Sequence, residues 1–398
     1  MLKSEQKPEI VWPTALMLSI TALVALISVP WYQLTIGFEW THWLAFFLFA
    51  ASNGLAITAG YHRLWAHNAY KAHPILRILL ALFGAASFQN SILVWSSQHR
   101  RHHRFVDDND KDPYSANRGL WFSHIGWLLR KYPNGRDDFS NAKDLQRDKI
   151  VMWQHKYYYL IALMMNFLPP LIMGALTGDY LAYFLLMGVL RLVYSHHTTF
   201  LVNSLAHAWG RRPYTGENTA RDNSFVLLLT YGEGYHNYHH IFQNDYRNGV
   251  RWFQYDPTKW FIKACSWVGL SYDLRSTPKF KIRQAMVARQ LELTRDKLTN
   301  QTLLNTIKQR IGAIEYANWM ATIEKQIESE HQQLTELLDE WKSTHSLWIT
   351  AKREKIAEAK QSMQTSLDLH NLKQKLKELE YSVVQQYRRV SYVNGVLS

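Results

Sequence analysis

Between Val11 and Tyr61 the chain carries no Lys or Arg and one acid, Glu39; between Leu160 and Leu190 its only charge is Asp179. The formal net charge is nevertheless +13, so the ionic residues are concentrated elsewhere. A helix of a water-soluble domain keeps one polar face toward solvent. Uncharged runs of this length instead match the ~20 residues that a helix needs to cross a hydrocarbon core of ~30 Å. Val11–Trp31 is one such run and Trp40–Gly60 a second, separated by "YQLTIGFE". Tyr157–Leu176 and Tyr180–Leu201 follow, joined by the turn "TGD". Residues 11–31, 40–60, 157–176 and 180–201 are therefore expected to form four transmembrane helices. Val11–Trp31 shows neither the short apolar core nor the small-residue cleavage site of a secretory signal.

Basic residues set the expected orientation. The connection between the first two runs has none, whereas His62–Lys149 is rich in them. The positive-inside rule then puts residues 62–154, everything after Leu201 and both termini on the cytoplasmic side. The same clustering argues against a nucleic-acid groove. A further apolar run, Ile75–Trp95, contains Arg77, Gln89 and Asn90. It reads as an interfacial or buried helix, with a re-entrant segment as the alternative. After about Pro278 the composition turns to Lys, Glu, Gln and Leu. Ile307, Ile311 and Ile314 keep heptad-like spacing, as do Met320, Ile323 and Ile327 after a phase slip; Leu334, Leu337 and Trp341 resume it. Residues 1–277 are expected as the membrane domain and 278–398 as a helical extension, a hairpin or imperfect coiled coil, for self-association, donor binding or spacing. No segment is strand-rich, so the expected class is all-α.

Cys265 is the only cysteine, which excludes an intramolecular disulfide framework and any four-cysteine cluster or zinc site. A redox metal here would rely on nitrogen or oxygen ligands and on electrons from another protein. Histidine supplies the nitrogen. Of 18 histidines, eight fall into three clusters: His62 and His67 of "HRLWAH", His99, His102 and His103 of "QHRRHHRF", and His236, His239 and His240 of "HNYHH". On a helix the HxxHH spacing puts i, i+3 and i+4 on one face, so three imidazoles converge. HxxxxH is different: five steps of ~100° carry the second ring ~140° around. His62 and His67 reach one centre only if the helix ends or unwinds between them. Eight ligands exceed the four of tetrahedral zinc, and imidazole suits Zn, Cu, Fe and Ni, so two metal ions of a redox type are expected.

Other histidines read differently. His196 and His197 suit a cavity wall or helix packing. His42, His73, His124 and His155 stand alone, as ordinary hydrogen-bonded residues do, and His331, His345 and His370 lie in the polar tail.

"ITAGYHRLWAH", "QHRRHHRFVDDNDKDPYSANRGLWFSHIGWLL", "LVNSLAHAWGRRPY" and "GEGYHNYHHIFQNDYR" together resemble the membrane acyl-CoA desaturases of the stearoyl-CoA delta-9 type, over about residues 11–275. The resemblance implies four membrane helices under a cytosolic helical cap. It implies a di-iron centre using O2, held by His62, His67, His99, His102, His103, His207, His236, His239 and His240, with Asn203 acting through a water. It implies a fatty acyl-CoA substrate given a cis double bond at delta-9 in unsaturated fatty acid biosynthesis. Asn90, Arg130 and Lys131 match positions that bind the coenzyme A moiety; as cations near a membrane surface the last two equally suit positive-inside charge.

Two departures bear on that moiety. Ser97 and Gln98 stand where the family often has Arg-Asp, and Phe200 stands where it often has Trp. An acyl carrier other than CoA therefore stays open. At the positions where the family's acyl tunnel ends, this chain has the small residues Ala50 and Gly54. Its tunnel is expected to reach deeper or to be closed from another helix. No heme motif of the "HPGG" kind occurs, so a separate cytochrome b5, ferredoxin or similar donor is expected. The alternatives are an acyl-lipid desaturase or di-iron membrane hydroxylase and, from another class, a non-enzymatic metal-binding membrane protein.

Overall fold

The structure is a computed structural model that describes residues 8–301, 304–305, 308–309, 313–357 and 363–396. It divides into two compact units, Met1–Arg212 with Glu217–Ser276, and Pro213–Gly216 with Thr277–Ser398.

In the first unit three helices are long and apolar enough to cross a membrane: Trp12–Thr35, Trp40–Ala66 and Tyr158–Thr177. The fourth expected segment is helical in three contiguous pieces, Tyr180–Tyr183, Phe184–Leu190 and Arg191–Asn203. These helices are apolar outside and polar inside. Leu26, Leu34 and Leu176 are 73–86% exposed, which water penalises and hydrocarbon does not. Inside, Arg191 is fully buried and donates to the carbonyls of Ala86 (2.8 Å) and Met187 (2.9 Å). Asn53 donates to the Phe83 carbonyl (2.7 Å) and accepts from the Ser195 hydroxyl (2.6 Å). Polar groups placed in this way stay satisfied where no water reaches them.

The apolar run Ile75–Trp95 is not one helix. Pro74–Ala85 ends, Phe88 and Asn90 take positive φ (50° and 78°), and Ile92–Phe105 starts afresh with Ser91 as its N-cap. The Ser91 hydroxyl accepts from the Val94 N–H, and the Gln154 amide oxygen accepts from the Ile92 N–H at 3.0 Å. Both donors would be orphaned at a free helix start. Strand is limited, among the described residues, to the antiparallel pair Lys71–Ala72 and Ser271–Tyr272, which ties the segment after the second helix to residues 271–272.

The second membrane helix changes its winding. From Ala56 to Ala66 it follows a π-helical path, and the His67 N–H donates to the His62 carbonyl at 3.0 Å. An i→i+5 bond stacks residue 67 over residue 62 much as an i→i+4 bond stacks neighbours in an α-helix. The unwinding that HxxxxH requires is this wider turn.

The second unit contains the helices Lys279–Thr299, Ala313–Ala357 and Met363–Val396. Its core holds Phe280, Val287, Leu291, Leu334, Leu338, Trp341, Leu379 and Val383, with Leu337 at the edge. Ile307 and Ile311 lie outside the described residues. Ile314 is 82% exposed and departs from the heptad reading. Nine residues, about 900° of rotation, separate it from buried Ile323 and place the two on opposite faces.

Candidate metal centre

Four elements of the first unit carry the nine histidines: the π-helical end of the second membrane helix, the helix Ile92–Phe105, the short turn Leu205–Ala208 and the short helix His236–Ile241. The last is anchored by Asp222, whose Oδ1 accepts from the backbone N–H groups of Asn237 (3.0 Å) and Tyr238 (3.2 Å).

The nine side chains form two groups. His62, His67, His99, His103 and His239 make one; His102, His207, His236 and His240 make the other, and within each the ligand nitrogens all lie within 4.8 Å of one another. Each HxxHH box is shared. His99 and His103 join the first group while His102 joins the second; His236 and His240 join the second while His239 joins the first. Nε2 atoms face Nε2 atoms: His62–His239 at 2.9 Å, His67–His99 at 2.8 Å, His103–His239 at 3.0 Å, His207–His236 at 3.0 Å and His236–His240 at 3.1 Å.

The opposite ring nitrogens are held from outside. His62 Nδ1 meets Glu233 Oε2 at 2.9 Å, and His102 Nδ1 meets both Asp112 oxygens at 3.0 Å. His99 Nδ1 lies 3.1 Å from the Tyr114 hydroxyl and His207 Nδ1 lies 2.8 Å from the Thr219 hydroxyl. A carboxylate partner keeps the proton on Nδ1 and leaves the Nε2 lone pair facing inward. Burial holds His67, His99, His103, His207, His236, His239 and His240 well below the usual imidazole range, and neighbouring imidazoles lower them further. These rings are neutral near pH 7, the form that binds metal. His102 Nε2 is buried without a partner and belongs to the four-histidine group. Converging lone pairs and a buried orphan nitrogen fit two metal ions that prefer imidazole.

The support for His62 is ionic. Arg63 is 1% exposed and bridges Glu233 (2.9 Å) and Asp256 (3.0 Å), both buried, while also donating to the Tyr246 carbonyl (2.7 Å). Burial alone would raise the Glu233 carboxyl, but the His62 imidazole and the Arg63 guanidinium hold it down at about 2. Arg63, Glu233, Asp256, Asp112, Tyr114 and Thr219 escape the sequence reading. The signal available was charge beside the boxes: Arg63 follows His62 directly, and Glu233 sits in the "GEG" before His236.

A cavity of about 690 Å³ opens beside the histidines and is lined by His62, His99 and His236. Asn203, at the end of Arg191–Asn203, lines it too. So do Asn90, Arg130 and Lys131, together with Gln98 and Arg136. The Asn90 N–H donates to the Tyr158 hydroxyl (3.0 Å), Arg130 donates to the Pro8 carbonyl (2.7 Å), and exposed Lys131 pairs with Glu9 (2.9 Å). Ser97 faces away and donates to the Asp138 carbonyl at 2.5 Å. The isolated histidines lie elsewhere: His42 caps its own helix against Glu39, His73 accepts from the Ile75 N–H, His155 meets Ser91, and His124 meets Ser204 and His197.

The fatty acid desaturase family model matches residues 38–275. A protein of Schizosaccharomyces pombe named probable acyl-CoA desaturase is 48% identical over 241 residues, covering 60% of this chain and 50% of its own length. Stearoyl-CoA desaturase 5 of Bos taurus is 40% identical over 285 residues, covering 69% of this chain and 82% of its own. The delta(9)-fatty-acid desaturase fat-6 of Caenorhabditis elegans is 34% identical over 279 residues, covering 69% and 81%. The chain thus spans about half the length of the fungal relative and about four fifths of the animal ones. The match takes in all nine histidines and the residues that hold them, and the chain belongs to the fatty acid desaturase family.

Proposed function

We propose that this chain is an integral membrane desaturase that uses two irons and O2 to insert a cis double bond, at delta-9, into a saturated fatty acyl-CoA. The observation that carries the reading is the division of nine converging imidazoles, seven of them buried, into two ligand groups beside one cavity. The names of the relatives supply the acyl-CoA and delta-9 terms. Iron that activates O2 supplies an oxidant strong enough for unactivated methylene carbons.

The chain's own residues orient and enclose. Glu233, Asp112, Tyr114 and Thr219 aim the Nε2 lone pairs, and Asn203 serves the four-histidine group through a water. The cavity fixes which carbons of the chain face the histidines and keeps water out. Arg130 and Lys131, with Asn90 beside them, suit the phosphates of CoA at its mouth. We further assign residues 180–201 a fourth membrane crossing, the histidines and both termini the cytoplasmic side, and the basic face there a separate acidic electron donor. Residues 278–398 act as a distinct helical domain suited to self-association.

Fatty acid profiling of cells with and without the protein tests the reading. The expected product has lost two hydrogens, and the purified protein retains iron. A product that has gained oxygen would point to hydroxylation and reject the desaturase. Zinc, or no metal, in protein from iron-replete cells would reject the di-iron centre. A finer test is Asp112→Asn, which keeps the shape beside His102 but removes the charge. Iron retention against a chelator is expected to fall ~10–100-fold at the four-histidine group. Retention equal to the parent would remove Asp112 from the support of that group.

A further inference from the structure

The cavity wall contributed by the second membrane helix runs from His62 back through Thr58, Ile57 and Gly54 to Ala50, away from the charged mouth at Arg130 and Lys131. Ala50 precedes His62 by 12 residues, about 18 Å of helix. Two residues along this wall, Ala50 and Gly54, have almost no side chain. The space beside them is taken by a ring from a different part of the chain. The Tyr231 hydroxyl donates to the Ala50 carbonyl at 3.1 Å, and a Cβ built on Gly54 would run into the Tyr231 ring. The Tyr231 carbonyl accepts from the Thr258 hydroxyl (2.8 Å), which itself meets the Thr58 hydroxyl (2.7 Å). Both ends of Tyr231 are therefore tied to the second membrane helix.

The backbone there is strained as well. Tyr231 has φ +56°, a left-handed conformation that a bulky aromatic residue rarely adopts. Strain of this kind persists where surrounding structure over-determines it, and it concentrates at ligand sites. The strain here aims one ring into the cavity wall.

We infer that Tyr231 closes the deep end of the cavity and sets the longest acyl chain that the enzyme admits. This rests on the desaturase reading and adds a specificity determinant to it: the stop comes from the segment before "GEGYHNYHH", against the second helix, and small residues at 50 and 54 make room for it.

The test uses membranes carrying the full chain as wild type, Tyr231→Ala, Tyr231→Val and Tyr231→Phe, supplied with saturated acyl-CoAs of graded length. Tyr231→Ala and Tyr231→Val are expected to raise the ratio of desaturation of over-long to preferred chains on the order of 10-fold, the discrimination that a few methylenes' worth of pocket provides. Tyr231→Phe keeps the ring and is expected to keep the parent's length limit. Titration calorimetry with the same acyl-CoAs and purified variants reads the limit without turnover, so an inactive variant still answers. An unchanged limit in Tyr231→Ala and Tyr231→Val beside an active parent would overturn the assignment, as would a relaxed limit in Tyr231→Phe. A parent that desaturates no chain overturns the desaturase reading instead.

Discussion

Replacing His239 by Ala is expected to abolish desaturation and empty the five-histidine group of iron. His239 Nε2 lies 2.9 Å from His62 Nε2 and 3.0 Å from His103 Nε2, so its loss opens the group toward two other ligands at once. Its short helix is pinned from behind by Asp222, so no neighbouring histidine can slide into the gap. The loss of activity is expected to exceed the ~10–100-fold that removal of a supporting partner costs. Elemental analysis of the purified chain and product formation in membranes check the two parts separately. His370→Ala, in the polar tail, is the matched control and is expected to leave both unchanged. Full iron content in His239→Ala would remove it from the ligand set. Full iron with no activity would keep the fold but contradict the metal-binding role.

Six of the nine histidines were legible from HxxHH spacing, because helical geometry forces i, i+3 and i+4 onto one side; His62 and His67 were legible as a pair that needs the helix to end or unwind between them. The division of each box was not. Residues i+3 and i+4 lie ~100° apart around the axis, so adjacent His102 and His103 can serve different groups while sharing a face with His99. The sequence demanded unwinding between His62 and His67, yet nothing local to "HRLWAH" specifies a π turn; hydrogen bonds formed in the folded unit decide it. His207 is a lone histidine in sequence and came only from the resemblance. The break within Ile75–Trp95 was missed because Phe88 is not a residue expected at positive φ. The remaining blind spot was ionic. Arg63, Glu233 and Asp256 look in sequence like surface charge near a membrane, and a charge pattern does not distinguish a solvated cation from one buried between two carboxylates.

That network carries the second large prediction. Arg63→Met is expected to destabilise the first unit severely. It removes the cation that touches both Glu233 and Asp256, at 2.9 and 3.0 Å, and it leaves those two carboxylates buried. Breaking a buried pair from one side costs ~3–5 kcal/mol, because the remaining charge keeps its desolvation penalty. A loss of that size corresponds to a fall in Tm on the order of 10 °C. Glu233→Gln separates this effect from metal binding. Arg63 keeps Asp256, whose oxygens also accept from the N–H groups of Asn248, Gly249 and Lys259, so the fold should change less. His62 meanwhile loses its carboxylate partner, and iron affinity is expected to fall ~10–100-fold. Thermal unfolding and chelator competition on the two detergent-purified variants should therefore rank them in opposite order. The same ranking in both assays would mean that Arg63 and Glu233 act as one structural unit, with no separate hold of Glu233 on His62.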